Sequence, residues 1–305
     1  MSAPSTSHRL ATSGADLYYE VRGSGPLLLV IGQPMTSGPF GPVAELLAEH
    51  HTVVTYDPHG LGRSTVDDPS IPISPEVQAE DLAHLVDAVG GGPADVFGTS
   101  GGGVAGLALA ARYPHLVRTL IAHEPPVVEL LPDARYVRAA VDDIVDAYSA
   151  LGGGAAWAKF VSLVMHEGMV TEAGVSPAAW SPPEGHDTAD TDAVQPPPDQ
   201  TDPQQTEKQQ ADDALFFLRM LPPFTRFQPD VEALRAGGPR TVVAVGEASR
   251  EEVARRSAEA LAERLGTAAV TLPGDHVGFM ADPPAFAQRL VEVLATTAAP
   301  STTLR

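Results

Sequence analysis

The chain has no cysteine among its 305 residues. That excludes thiol nucleophiles, disulfide scaffolds and cysteine-ligated metals. Basic residues are few: 19 Lys and Arg stand against 39 Asp and Glu, a formal net charge of −20. Nucleic acids and anionic membrane surfaces call for a basic face, so neither is expected as a partner. Long hydrophobic runs are also missing. No apolar stretch reaches the length of a membrane span, and residues 1–8 are polar, without the apolar core of a signal peptide. A cytoplasmic protein is expected. No histidine and carboxylate cluster has metal-ligand spacing, so no metal or cofactor is expected. Oligomeric state is not written in the sequence, and a homodimer stays open.

What is present is ordinary apolar content, 43%, arranged in an alternating rhythm. Short apolar runs at 17–21, 27–31, 52–56, 94–97, 119–123, 241–245 and 269–272 read as strands. Amphipathic stretches at 74–89, 102–113, 251–265 and 284–294 read as helices. In the first of these, Pro75 suits the opening turn, and Val77, Leu82, Leu85, Val86 and Val89 form one apolar face. Such alternation predicts an α/β fold with a mainly parallel sheet covered on both faces. Residues 127–239 break the rhythm, with helical signals at 133–151, 155–167 and 207–220 and no strand signal. An all-helical cap inserted into a core of 1–126 and 240–305 is expected. Within it, 181–205 is rich in Pro, Asp, Gln and Thr and reads as a mobile loop or an irregular surface segment.

Gly98-Thr99-Ser100-Gly101-Gly102 joins the run at 94–97 to the helix former that follows. G-x-S-x-G between strand and helix is the context of a nucleophile elbow, a strained turn that lifts a serine clear of the sheet. Gly98 and Gly101 leave room for the turn. The competing reading is a glycine-rich turn with an incidental serine.

Other patterns fall in a telling order. Leu29-Val30-Ile31-Gly32-Gln33-Pro34 follows an early strand. Asp57-Pro58-His59-Gly60-Leu61-Gly62-Arg63-Ser64 has the form D-x-x-G-x-G-x-S, and Pro273-Gly274-Asp275-His276 lies late. Together with the elbow these resemble the α/β-hydrolase fold superfamily over nearly the whole chain. The resemblance implies Ser100 as nucleophile, His276 as general base, and backbone N–H groups at Gln33 and Gly101 as the oxyanion hole. Two departures stand out. The usual H-G of the oxyanion segment is Ile31-Gly32, which a hole built from backbone can tolerate. The usual Asp of a late G-x-x-D pattern is replaced in Gly246-Glu247-Ala248-Ser249 by a serine, which cannot face an imidazolium as an anion. His123-Glu124-Pro125-Pro126 resembles instead the resorcylic-macrolide lactonases that open zearalenone-type rings, where a Glu at this place is the triad acid. Glu124 is therefore the expected acid. Glu247 is its rival, and a capping role for Glu124 is the structural alternative. Asp275 adjoins His276 too closely to serve.

The remaining histidines read otherwise: His59 as a polar turn residue or substrate contact, His123 as a hydrogen-bonded core residue, His50 and His51 as surface or capping groups, His84, His115 and His166 as solvated. The cap aromatics and methionines, Trp157, Phe160, Met165, Met169, Trp180, Phe216, Phe217, Met220, Phe224 and Phe227, predict an apolar roof suited to a sizeable hydrophobic acyl compound. The expected function is a serine hydrolase of hydrophobic esters or lactones, working through an acyl-enzyme. A C–C hydrolase of dioxo acids, a perhydrolase (where Met commonly stands in place of Gly101) and a low-turnover ligand receptor are the alternatives. Epoxide hydrolases and haloalkane dehalogenases place Asp at the elbow and are disfavoured.

Overall fold

The computed structural model describes residues 5–175 and 203–296. Trp180 and positions 181–202 of the expected loop lie outside them. Nine strands form one sheet among the described residues: β1 (Thr6–Thr12), β2 (Ala15–Arg22), β3 (Leu27–Gln33), β4 (Thr52–Tyr56), β5 (Thr65–Val66), β6 (Ala94–Ser100), β7 (Val117–His123), β8 (Arg240–Gly246) and β9 (Val270–Leu272). The order is β1-β2-β4-β3-β6-β7-β8-β9, with β5 beside β2. From β4 to β9 every pairing is parallel, and β1 and β2 run antiparallel at one edge.

Parallel neighbours need crossovers, and helices supply them. They are α1 (Gly41–Leu47), α2 (Pro75–Val89) and α3 (Gly101–Arg112), then α4 (Ala134–Leu151), α5 (Gly153–Val164), α6 (Pro203–Leu215), α7 (Leu221–Thr225) and α8 (Val231–Arg235) between β7 and β8, and finally α9 (Val253–Leu265), α10 (Gly278–Ala281) and α11 (Pro283–Ala295). Alternation along β3 divides the core. Leu27, Leu29 and Ile31 join the cluster that holds Leu82 of α2 and Leu107 of α3. Leu28 and Val30 join Leu47 of α1 and Phe286 and Leu290 of α11 on the other face. Burying a Leu or Ile side chain contributes roughly 1.5–3 kcal/mol. A strand buried at every position, as β3 is, therefore anchors both layers.

The structure adds elements that periodicity does not show. β1 has Leu10 as its one large apolar residue and is mostly exposed. It is held by its antiparallel ladder with β2, so no burial pattern marks it. The helix expected at 207–220 is α6, then a π-helical turn over Phe216–Met220, then α7. The helix expected from 133 begins at Ala134, and the Asp133 side chain does not cap it. Its carboxylate accepts a hydrogen bond from Val170 N at 2.7 Å and pairs with Arg256 of α9. A second link runs from Gly62 N to Asp212 of α6 at 3.2 Å.

Candidate active site

The C-terminal ends of β3, β6, β7 and β8 bring distant residues to one edge of the sheet. Ser100 closes β6 with φ 53 and ψ −126. This is left-handed backbone that costs a non-glycine residue of order 1–3 kcal/mol. The surrounding glycines permit it. A Cβ on Gly98 would sit 2.4 Å from Gly102 O, and one on Gly102 2.3 Å from Ile31 O. The next residue, Gly101, opens α3, so its N–H has no acceptor within the helix. Gln33 ends β3 in register with Ser100. Ser100, Gly101, Gln33 and His276 line one cavity. The Ser100 hydroxyl makes no hydrogen bond to a described residue.

His276 lies in the loop between β9 and α10, with its side chain 26% exposed. Its Nδ1 is 2.7 Å from Glu124 Oε2. Glu124 follows directly on β7. It has φ 45, and its carboxylate is buried, 1% exposed. Its other oxygen, Oε1, accepts from Gly246 N of neighbouring β8 at 2.9 Å. Burial pushes the Glu124 carboxyl up, but the hydrogen bond and charge of His276 and the neighbouring His123 outweigh it and hold it down at about 2. Ser249, at the family's usual Asp position, is buried with no partner within bonding distance for its Oγ. Glu247 is exposed, and its backbone N–H pairs with Leu272 O. Asp275 instead accepts from Val277 N at 3.0 Å.

His123 is fully buried and bonds through Nδ1 to Thr99 Oγ1 at 2.9 Å. Its ring stacks on His276 with centroids 6.1 Å apart. Desolvation lowers it to about 4, so it is neutral at pH 7 and adds no charge beside His276. Sequence reasoning places His123 in the core but misses this stack, because nothing local signals a partner more than 150 residues away.

Two histidines each keep one of their two readings. His59 is a polar turn residue and does not line the cavity. It is buried and bonds Asp81 Oδ2 at 2.8 Å. His51 keeps the capping reading over the surface one, at the end of α1. It is buried, with Nδ1 3.3 Å from Leu47 O.

The cavity measures about 100 Å³, against ~300–1,000 Å³ for common ligand sites. The aromatic content suggests a roomier chamber than this. The difference lies in how the aromatics are spent. Trp157 and Phe217 pack against Phe160 and Phe216, and Met165 and Met169 are exposed. Phe160, Phe216, Met220 and Phe224 reach the cavity wall with Val137, Val141 and Leu163. Among the described residues that line it there is no Asp, Glu, Lys or Arg.

Residues 25–164 match the family described as alpha/beta hydrolase fold. The sequence is 29% identical to the uncharacterized hydrolase YraK of Bacillus subtilis over 292 residues, covering 93% of this chain and 94% of that one. The fold is similar to a thermophilic esterase from Thermogutta terrifontis, with TM-score 0.68 and 20% identity over 95% of this chain and 98% of that one. It is also similar to the enol-lactonase from Burkholderia xenovorans, with TM-score 0.63 and 17% identity over 95% and 100%. No helix among the described residues is long and apolar enough to cross a membrane. By its sheet and its elbow the chain is an α/β-hydrolase in fold, and its relatives are hydrolases.

Proposed function

We propose that the chain is a serine hydrolase that cleaves small, uncharged esters or lactones through an acyl-enzyme, with Ser100, His276 and Glu124 as its triad. The contact between Glu124 Oε2 and His276 Nδ1, 2.7 Å, carries this reading. A buried, ionised carboxylate there fixes the proton on Nδ1 and leaves Nε2 free as the base. Ser100 Oγ bonds to the acyl carbon while its proton passes to His276 Nε2. Backbone N–H groups at Gln33 and Gly101 hold the oxyanion. The C–O bond to the leaving alkoxide then breaks as His276 returns the proton to it. Water, deprotonated by His276, attacks the acyl carbon, and Ser100 leaves with the proton.

The apolar lining supports an ester or lactone over a dioxo acid, whose carboxylate would find no cationic side chain among the described lining residues. The resemblance to the resorcylic-macrolide lactonases rests on the four residues His123 to Pro126. A cavity of about 100 Å³ does not take a macrocyclic ring, so smaller lactones are the better candidates.

The test is fluorophosphonate labelling read by peptide mass spectrometry, with burst kinetics on p-nitrophenyl acetate. One label at Ser100 and a burst are expected. A label elsewhere, or none with no turnover of any ester or lactone, would overturn the assignment and favour a ligand receptor.

A further inference from the structure

Phe216 and Met220 open and close the π-helical turn, and both line the Ser100 cavity. A π turn fits an extra residue into a helix, and such turns recur at functional sites. Here the helix continues through it, from α6 into α7. Phe216 is held in place by its neighbours. Trp157 stacks on it at 5.4 Å with 17° between the planes, and Phe160 meets it edge-on at 5.2 Å. The ring is therefore a fixed wall. The same stretch has a second side. Leu215 and Leu218 line another cavity, of about 400 Å³. One helical stretch thus borders both a small cavity at the nucleophile and a larger one away from it.

We propose that the Phe216–Met220 turn is the size determinant of the site: it confines the acyl group to a short, uncharged chain. This rests on the serine-hydrolase reading above. No charged lining side chain is available to select a substrate by charge, so shape must do it. A held aromatic ring opposes each added methylene, where a single methylene is commonly worth ~10–200-fold in discrimination.

The experiment compares kcat/KM for p-nitrophenyl butyrate and octanoate in the wild type, Phe216→Ala and Met220→Ala, with fluorophosphonate labelling of each. The wild type should favour butyrate by at least ~100-fold. In Phe216→Ala the octanoate-to-butyrate ratio should rise at least ~10-fold. If that variant does not fold, Met220→Ala carries the same expectation. A wild type that turns over octanoate as well as butyrate overturns the proposal. So does an unchanged ratio in a folded variant. If Ser100 is labelled and the ratio does not move, only the size determinant falls. If no ester is cleaved and Ser100 is not labelled, the hydrolase assignment falls and the size determinant with it.

Discussion

Glu124→Gln should remove nearly all turnover while leaving substrate affinity in place. Gln matches Glu in size but has an acceptor at one end and a donor at the other. Gly246 N donates to Glu124 Oε1 at 2.9 Å, so the amide oxygen must take that place. The NH₂ then faces His276 Nδ1, which lies 2.7 Å from the present Oε2. Two donors cannot meet there. The imidazole must offer Nδ1 as acceptor and carry its proton on Nε2, the nitrogen that has to receive the Ser100 proton. The imidazolium also loses its counter-charge in a site where that carboxylate is 1% exposed. An orienting carboxylate in such a triad is worth up to ~10⁴ in rate, or about 5 kcal/mol at ~1.4 kcal/mol per decade. KM should stay near the wild-type value, because Glu124 does not line the cavity. Steady-state kinetics on a p-nitrophenyl ester, with circular dichroism to verify folding, reads both quantities. A loss of less than ~10-fold, or an equal loss in Glu247→Gln, would refute the reasoning and move the acid to the later strand.

Ser100→Ala should abolish turnover with the fold intact, and His276→Ala should be nearly as damaging. The double variant should add little, since groups acting as a unit do not sum; a double variant far weaker than either single one would count against a shared proton transfer. The Glu124 carboxyl lies at about 2 in the folded chain against an ordinary 4.5. Its contribution to stability is therefore complete above pH 4.5 and is lost as pH falls from there toward 2. Urea unfolding midpoints should drop across that window, and less steeply in Glu124→Gln; an equal slope would refute the assignment. Asp133→Ala leaves Arg256 without its buried partner and Val170 N without its acceptor. A cost of about 3–5 kcal/mol is expected, read from denaturant midpoints, and a cost under ~1 kcal/mol would show that water replaces the pair.

The elbow is legible in the sequence because its requirement is local. A Cβ at Gly98 or Gly102 would strike backbone oxygen, and both glycines stand within two residues of Ser100. His276 is legible through a short loop pattern at a fixed place in the fold. Glu124 is harder: its partner is 152 residues away, so only a four-residue resemblance points to it. At the sheet centre β3 declares itself by an unbroken apolar run. β1 does not, because hydrogen bonds to β2 hold it and burial does not. Cavity size is not legible at all. The same ten aromatic and methionine side chains could roof a large chamber or pack on one another. Trp157 and Phe217 take the second course, and Phe160 and Phe216 both pack and line the cavity, through ring contacts that no spacing rule contains.

The position of Glu124 ties two strand ends together. β7 and β8 lie side by side, paired from Thr119↔Arg240 to His123↔Ala244. The chain leaves the sheet at the end of β7 and re-enters at Arg240, which lies opposite Thr119 at the other end of the strand pair. Glu124 stands at the exit, and its carboxylate accepts from Gly246 N at the C-terminal end of β8. The carboxylate is thus a rivet between the C-terminal ends of β7 and β8, and its other oxygen meets His276. Loosening the seam between these two strands should therefore displace His276 as well as disturb the sheet.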